Sequence, residues 1–151
     1  MRTNIKTKIY VTVVTIVMLC AMTTVAYGAI SWEGIISYNS YHYGYQYVTP
    51  EPLVKGDDSS AIVAYDGGPI TADKMYVEIL GSLEYRGTYT NYTMRHLYNG
   101  NYVKYYTVNK GEQAFIYNLV YETLKTSAFT KLKVYVNGTG NVVGRWSPTT
   151  R

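Results

Sequence analysis

Read from its start, the chain changes hydrophobic period once. Ile9 to Val25 is a charge-free, mostly apolar run, diluted only by Thr12, Thr15, Thr23 and Thr24. Further on, apolar residues recur at every second position. Met75, Val77 and Ile79 alternate with Lys74, Tyr76 and Glu78, and Leu132, Val134 and Val136 alternate with Lys131, Lys133 and Tyr135. Period 2 places each set on one face of a strand. Val77, Ile79, Leu132, Val134 and Val136 are therefore expected to be buried together. Tyr41, Tyr43, Tyr45 and Tyr47 take odd positions between His42, Gly44 and Gln46, which predicts a strand with four rings on one face. Thr49-Pro50-Glu51-Pro52 ends it, because proline cannot donate to a ladder.

Turn residues divide the remainder. Lys55 to Ser60 reads as a loop, and Ala61 to Tyr65 as a short strand closed by Asp66-Gly67-Gly68-Pro69. Gly81 marks a bulge or bend before a strand over Leu83 to Tyr89. Thr90 to Val108 reads as a hairpin about Asn99-Gly100-Asn101. A two-residue loop would set Arg95 opposite Lys104, a like-charge pair. A three-residue loop pairs Tyr98 with Tyr102, Leu97 with Val103 and Thr93 with Thr107, and is preferred. Gln113 to Lys125 has a helical face in Phe115, Ile116, Leu119, Val120 and Leu124, but Tyr117, Tyr121 and Thr123 suit a strand, which is the expectation. Asn137 to Asn141 turns the chain into a strand over Val142 to Trp146, and Pro148 ends it. The pattern predicts an all-β fold, a small antiparallel β-sandwich or barrel of about seven or eight strands, after an N-terminal signal helix.

Composition alters this picture at the amino end. Arg2, Lys6 and Lys8 precede the apolar run, and Ala26-Tyr27-Gly28 follows it. Basic, then apolar, then small is the order of a secretory signal. The expected organisation is a signal peptide over 1–28 and a single β domain over 29–151. The alternative is an uncleaved membrane anchor, which a run of this length could form. Cys20, the only cysteine, lies in the apolar run, so the domain has no disulfide and must hold by packing. At about 123 residues it can bury a sufficient core. Three of the 14 basic residues and none of the 10 acids fall in the leader, which leaves 11 against 10, a net +1. That balance gives no argument for nucleic acid or for a membrane surface after cleavage.

Candidate chemistry is sparse. His42 and His96 each sit in an alternating segment without a second ligand nearby, so no zinc site is expected. Asp57, Asp58 and Asp66 could join a calcium site, but read better as solvated turn acids. Glu78, Glu84, Glu112 and Glu122 could supply paired carboxylates only if the fold gathered them. No G-x-S-x-G motif is present. Asn91-Tyr92-Thr93 and Asn137-Gly138-Thr139 match the glycosylation pattern, which matters only in a eukaryotic secretory route. No cofactor is expected and no enzymatic activity. Seventeen of the 19 tyrosines follow the leader. An exposed aromatic face of Tyr41, Tyr43, Tyr45 and Tyr47, with Trp146, is the candidate binding surface; the alternative is that these rings cover the core.

Lys110-Gly111-Glu112-Gln113-Ala114-Phe115, Lys131 to Asn137, and Val143-Gly144-Arg145-Trp146-Ser147-Pro148 resemble a group of short secreted proteins of Gram-positive bacteria. In that group a signal peptide precedes a β-rich domain with a Gly-x-Trp-x-Pro-like ending, often encoded beside bacteriocin-type ABC transporters. Thr149 stands where the group usually has an acid. The resemblance implies secretion and a role in antagonism or envelope stress, and it carries over no functional residues. The expected function is a secreted, non-enzymatic binding or bacteriocin-like effector protein whose partner is an envelope component or protein. The alternatives are a carbohydrate or cell-wall binding module and a small secreted hydrolase.

Overall fold

The computed structural model describes residues 31–150; the expected signal peptide and its boundary lie outside them. Twelve strands follow in order: β1 (Gly34–Ser40), β2 (Gln46–Val48), β3 (Leu53–Lys55), β4 (Ala61–Gly67), β5 (Lys74–Ser82), β6 (Thr90–Asn91), β7 (His96–Tyr98), β8 (Asn101–Val103), β9 (Tyr106–Asn109), β10 (Gln113–Ile116), β11 (Ala128–Val136) and β12 (Gly140–Ser147). One short helix, α1 (Val120–Leu124), precedes β11. One antiparallel sheet has the order β1-β12-β4-β10. The other has the order β2-β11-β5-β6, with β3 also on β11 and β9 also on β5. The β7–β8 hairpin pairs only with itself.

The two sheets form a sandwich. Ile36, Val63, Tyr65, Val142 and Trp146 from the first meet Met75, Val77, Ile79, Leu132, Val134 and Val136 from the second in one buried cluster. Alternation along β5 and β11 thus predicted the buried set correctly: every second residue of β11 is buried. Burying a side chain of this size stabilises the fold by about 1.5–3 kcal/mol. The Trp146 ring lies against its register partner Gly34, where even a methyl group would collide with the indole.

More strands form than the seven or eight expected, because several pair in short pieces. β2 and β3 both lie along the same edge of β11. Thr49 bridges the gap between them: its N–H donates to the Leu132 carbonyl at 2.9 Å, and its Oγ1 accepts from the Leu132 N–H at 3.0 Å. Pro50 and Pro52 have no N–H to offer there.

Four local expectations are corrected. The tyrosine segment is not one strand: β1 ends at Ser40, the chain turns through Tyr41 to Tyr45, and only Gln46–Val48 is extended. Leu83 to Tyr89 is a loop, because β5 runs on through Gly81 to Ser82. Gln113 to Lys125 divides into β10 and α1. The short helix ends at Lys125, which is left-handed (φ 58°), and it buries only Val120 against the core.

The hairpin uses the two-residue loop. Tyr98 pairs with Asn101, Leu97 with Tyr102 and His96 with Val103. Asn99 (φ 48°) and Gly100 (φ 79°) both have the positive φ that a type I′ turn requires. The like-charge objection is met by ending the ladder at His96–Val103. Arg95 leaves the position opposite Lys104 and lies over the Tyr102 ring at 5.6 Å.

Candidate functional site

The four expected tyrosines divide by exposure. In the turn after β1 the Tyr45 N–H donates to the His42 carbonyl at 3.1 Å, and Gly44 (φ 73°) supplies the left-handed residue. Tyr41 and Tyr43 are 70% and 68% exposed there. Tyr45 is half-buried, with Tyr41 and His42 each edge-on to it at 5.5 Å. Tyr47 lies opposite Val134, packs against the core and stacks on Tyr38 at 4.6 Å with rings 6° apart. Gln46, its neighbour, is exposed. A flat four-ring platform is therefore not formed. Gly44 was the visible signal for a turn, and strict alternation concealed it. Trp146 is 1% exposed and belongs to the core, so it presents nothing to a ligand at the surface.

Rings gather instead on the outer face of the six-stranded sheet. β5 and β11 are in register at Tyr76–Tyr135, so both rings leave the same side of the sheet and stack at 4.7 Å, 6° from parallel. Tyr105 stands edge-on to them at 5.4 and 6.4 Å, and Tyr98 edge-on to Tyr105 at 6.1 Å. Partial burial, then the neighbouring Tyr105, Tyr76 and Glu78, push the Tyr135 phenol up to about 12. Two residues along on the same face, Lys133 pairs with Glu78 at 3.2 Å, and Glu78 also accepts from Asn91 at 2.8 Å. The alternation of β5 and β11 implied this face, but the stacking depends on strand register.

The same face continues into a cleft. Pro50, Glu51 and Pro52 from the β2–β3 connection face Tyr85, Arg86 and Tyr89 from the β5–β6 connection, across Lys131 of β11. The open volume is about 390 Å³. The Tyr85 hydroxyl donates to Glu51, which holds its pKa above the ordinary phenol value. The Tyr89 hydroxyl donates to the Tyr85 carbonyl at 2.9 Å, and the Lys131 ammonium lies 5.1 Å from the Tyr89 ring centre.

Several of the remaining candidates have local partners, whereas His96 Nδ1 and Glu122 Oε2 are buried without a hydrogen-bond partner among the described residues. Asp66 takes both Nε and Nη2 of Arg145 at 2.8 Å, and that guanidinium lies 4.7 Å over Trp32. Asp57 caps its own turn by accepting from the Ser59 N–H at 2.9 Å. Glu112 accepts from Asn109 at 2.9 Å. His42 Nδ1 lies 3.0 Å from the Tyr43 carbonyl oxygen, and the His96 ring lies 4.2 Å from that of Tyr106. Among the described residues no three histidines, cysteines or acids gather as metal ligands.

Lys55, which the sequence placed in the loop over Lys55 to Ser60, is instead the last residue of β3 and fully buried, because its ammonium finds carbonyl partners inside. Its Nζ donates to the carbonyls of Ser59 and Pro148 and lies 3.8 Å from Asp57. Burial lowers its pKa, against the opposing pull of Asp57, Glu122 and Asp58. With Trp146 in the core, Ser147 donating to Glu33 at 2.8 Å and Pro148 holding Lys55, the Trp-Ser-Pro ending works as structure.

The family described as Protein of unknown function (DUF2712) matches the chain over residues 23–150, and the chain belongs to that family. No curated protein and no solved structure matches it.

Proposed function

We propose that this member of the family is exported and acts as a non-enzymatic binding protein at a cell envelope, of the bacteriocin-like effector kind. The observation that carries the reading is the tyrosine cluster on the outer face of the six-stranded sheet, where Tyr76 and Tyr135 stack half-exposed with Tyr105 and Tyr98 beside them. Surface tyrosine supplies large, rigid contact area at low entropic cost and keeps a hydroxyl for hydrogen bonding. Export is supported by the basic, apolar and small-residue order of the first 28 residues. A secreted Gram-positive origin beside a bacteriocin-type transporter rests on the resemblance of the last third of the chain. A carbohydrate or cell-wall binding module is the second reading, supported by the cleft where Tyr85 and Tyr89 flank charged groups.

Mass spectrometry of culture supernatant tests export: the expected chain begins near Ala29, and a full-length product found only in the membrane pellet overturns it. Cosedimentation of the purified protein with isolated cell walls tests binding. Tyr76→Ala combined with Tyr105→Ala should weaken the affinity about tenfold, the equivalent of about 1.4 kcal/mol. Unchanged binding by a variant that still unfolds cooperatively removes the cluster from the mechanism. Inhibition of neighbouring strains by the protein separates an effector from a passive wall-binding module.

A further inference from the structure

We propose that the outer face of β11 is the track for an extended anionic glycan, a chain of sugar or polyol units bearing phosphate or carboxylate groups. This rests on the envelope-binding reading and names the ligand chemistry. The inference begins with the strand's pattern. Phe129, Lys131, Lys133 and Tyr135 share the face opposite the core, which lines up ring, cation, cation and ring over about 20 Å of strand. Neighbouring elements add rings at both ends. Tyr85 meets Phe129 edge-on at 5.5 Å and Tyr89 lies beside the Lys131 ammonium, while Tyr76 stacks on Tyr135.

Charge decides which polymer fits. Lys133 is engaged by Glu78, whereas Lys131 faces the Tyr89 ring rather than a carboxylate. Arg86 is the second cation lining the cleft. Glu51, the one acid lining it among the described residues, accepts the Tyr85 hydroxyl. Two cations against one carboxylate leave the lining net positive, which favours an anionic ligand. Exposed aromatic faces pack against the C–H faces of sugar rings, and the ammonium and guanidinium take the anionic substituents. The cleft's volume, about 390 Å³, is at the small end for a ligand pocket, and Lys131, which lines it, shares the outer face of β11 with Lys133 and Tyr135, so a polymer seated there could extend along the strand.

The test is titration calorimetry of the protein with four probes: glucosylated poly(glycerol phosphate), polygalacturonate, neutral dextran and phosphatidylglycerol vesicles. Binding to either anionic polymer, weakened by salt and at least about fivefold tighter than dextran, is expected. The first two arms distinguish a phosphate from a carboxylate source. Arg86→Gln, an exposed loop change that cannot unfold the domain, and Lys131→Gln should each lower affinity about threefold or more. Equal affinity for dextran, binding to vesicles alone, or unaltered affinity in both variants overturns the proposal. If cell walls still sediment the Arg86→Gln and Lys131→Gln proteins as well as the wild type, the track is wrong and the envelope-binding reading stands. If no wall binds the wild-type protein, both fail.

Discussion

Lys55 Nζ donates a 2.9 Å hydrogen bond to the carbonyl of Pro148, 93 residues further along the chain. The ammonium is fully buried, and its second carbonyl partner, Ser59, belongs to the loop after β3. One side chain thus ties the loop after β3 to the segment that follows β12. Lys55→Met keeps much of the volume and strands both carbonyls, so it should destabilise by about 1–3 kcal/mol in urea unfolding. Deleting residues from Pro148 onward removes one of the same partners. The double variant should therefore lose at least about 0.5 kcal/mol less than the sum of the two single changes. Strict additivity would show that the bond carries no coupling energy.

Two tyrosines with buried hydroxyls make opposite predictions. The Tyr65 hydroxyl donates to the Ala72 carbonyl at 3.0 Å, whereas the Tyr38 hydroxyl is buried without a hydrogen-bond partner among the described residues. Tyr65→Phe should cost about 1 kcal/mol, and Tyr38→Phe should be neutral or stabilise by about 1 kcal/mol. Thermal unfolding of the two variants checks the contrast; a large loss from Tyr38→Phe would contradict it.

Alkaline pH should unfold the protein. Burial is the leading cause of the raised pKa values of Tyr38, Tyr47, Tyr65, Tyr89, Tyr106 and Tyr135, the last to about 12. Above about pH 10 the unfolded chain releases phenolic protons that the folded state still holds, so the folded state binds more protons and stability falls as pH rises. Lys55 acts in the opposite sense, since its lowered pKa makes folding more favourable with pH below its ordinary value of 10.5. The raised phenols outnumber the one amine and set the net direction. Phenolate absorbance and β-sheet circular dichroism should change together in an alkaline titration. Phenolate appearing from these residues with the sheet signal intact would refute the account.

The hairpin predicts a gain. Its ladder stops at His96–Val103, one step short of Arg95 and Lys104. Lys104→Glu turns that repulsive pair into an attractive one and should stabilise by about 0.2–1 kcal/mol, with slower amide exchange in β7 and β8. Unaltered exchange would mean that something other than charge ends the ladder.

In the core, Leu132→Ala should cost about 2–5 kcal/mol, because Leu132 is fully buried between the sheets. A loss under about 1 kcal/mol would mean the site collapses without leaving a cavity.

The sequence by itself determined the all-β class, the inward faces of β5 and β11, the break at Thr49–Pro52 and a turn near Asn99–Gly100 though not its length, because period-2 patterning, proline and positive-φ residues act within a few neighbours. Alternation misled at Tyr41–Tyr47, where Gly44 outweighs it and bends the chain. It was ambiguous at Gln113–Lys125, where a strand and a helical turn share one apolar stretch. Only the tertiary structure decided that Tyr76 lies beside Tyr135, that Lys131 faces Tyr89 and that Lys55 meets Pro148. Each of those pairs depends on strand register or on a loop crossing the sheet. Residues far apart in the chain are brought together by the sandwich as a whole, so no local pattern encodes their contact.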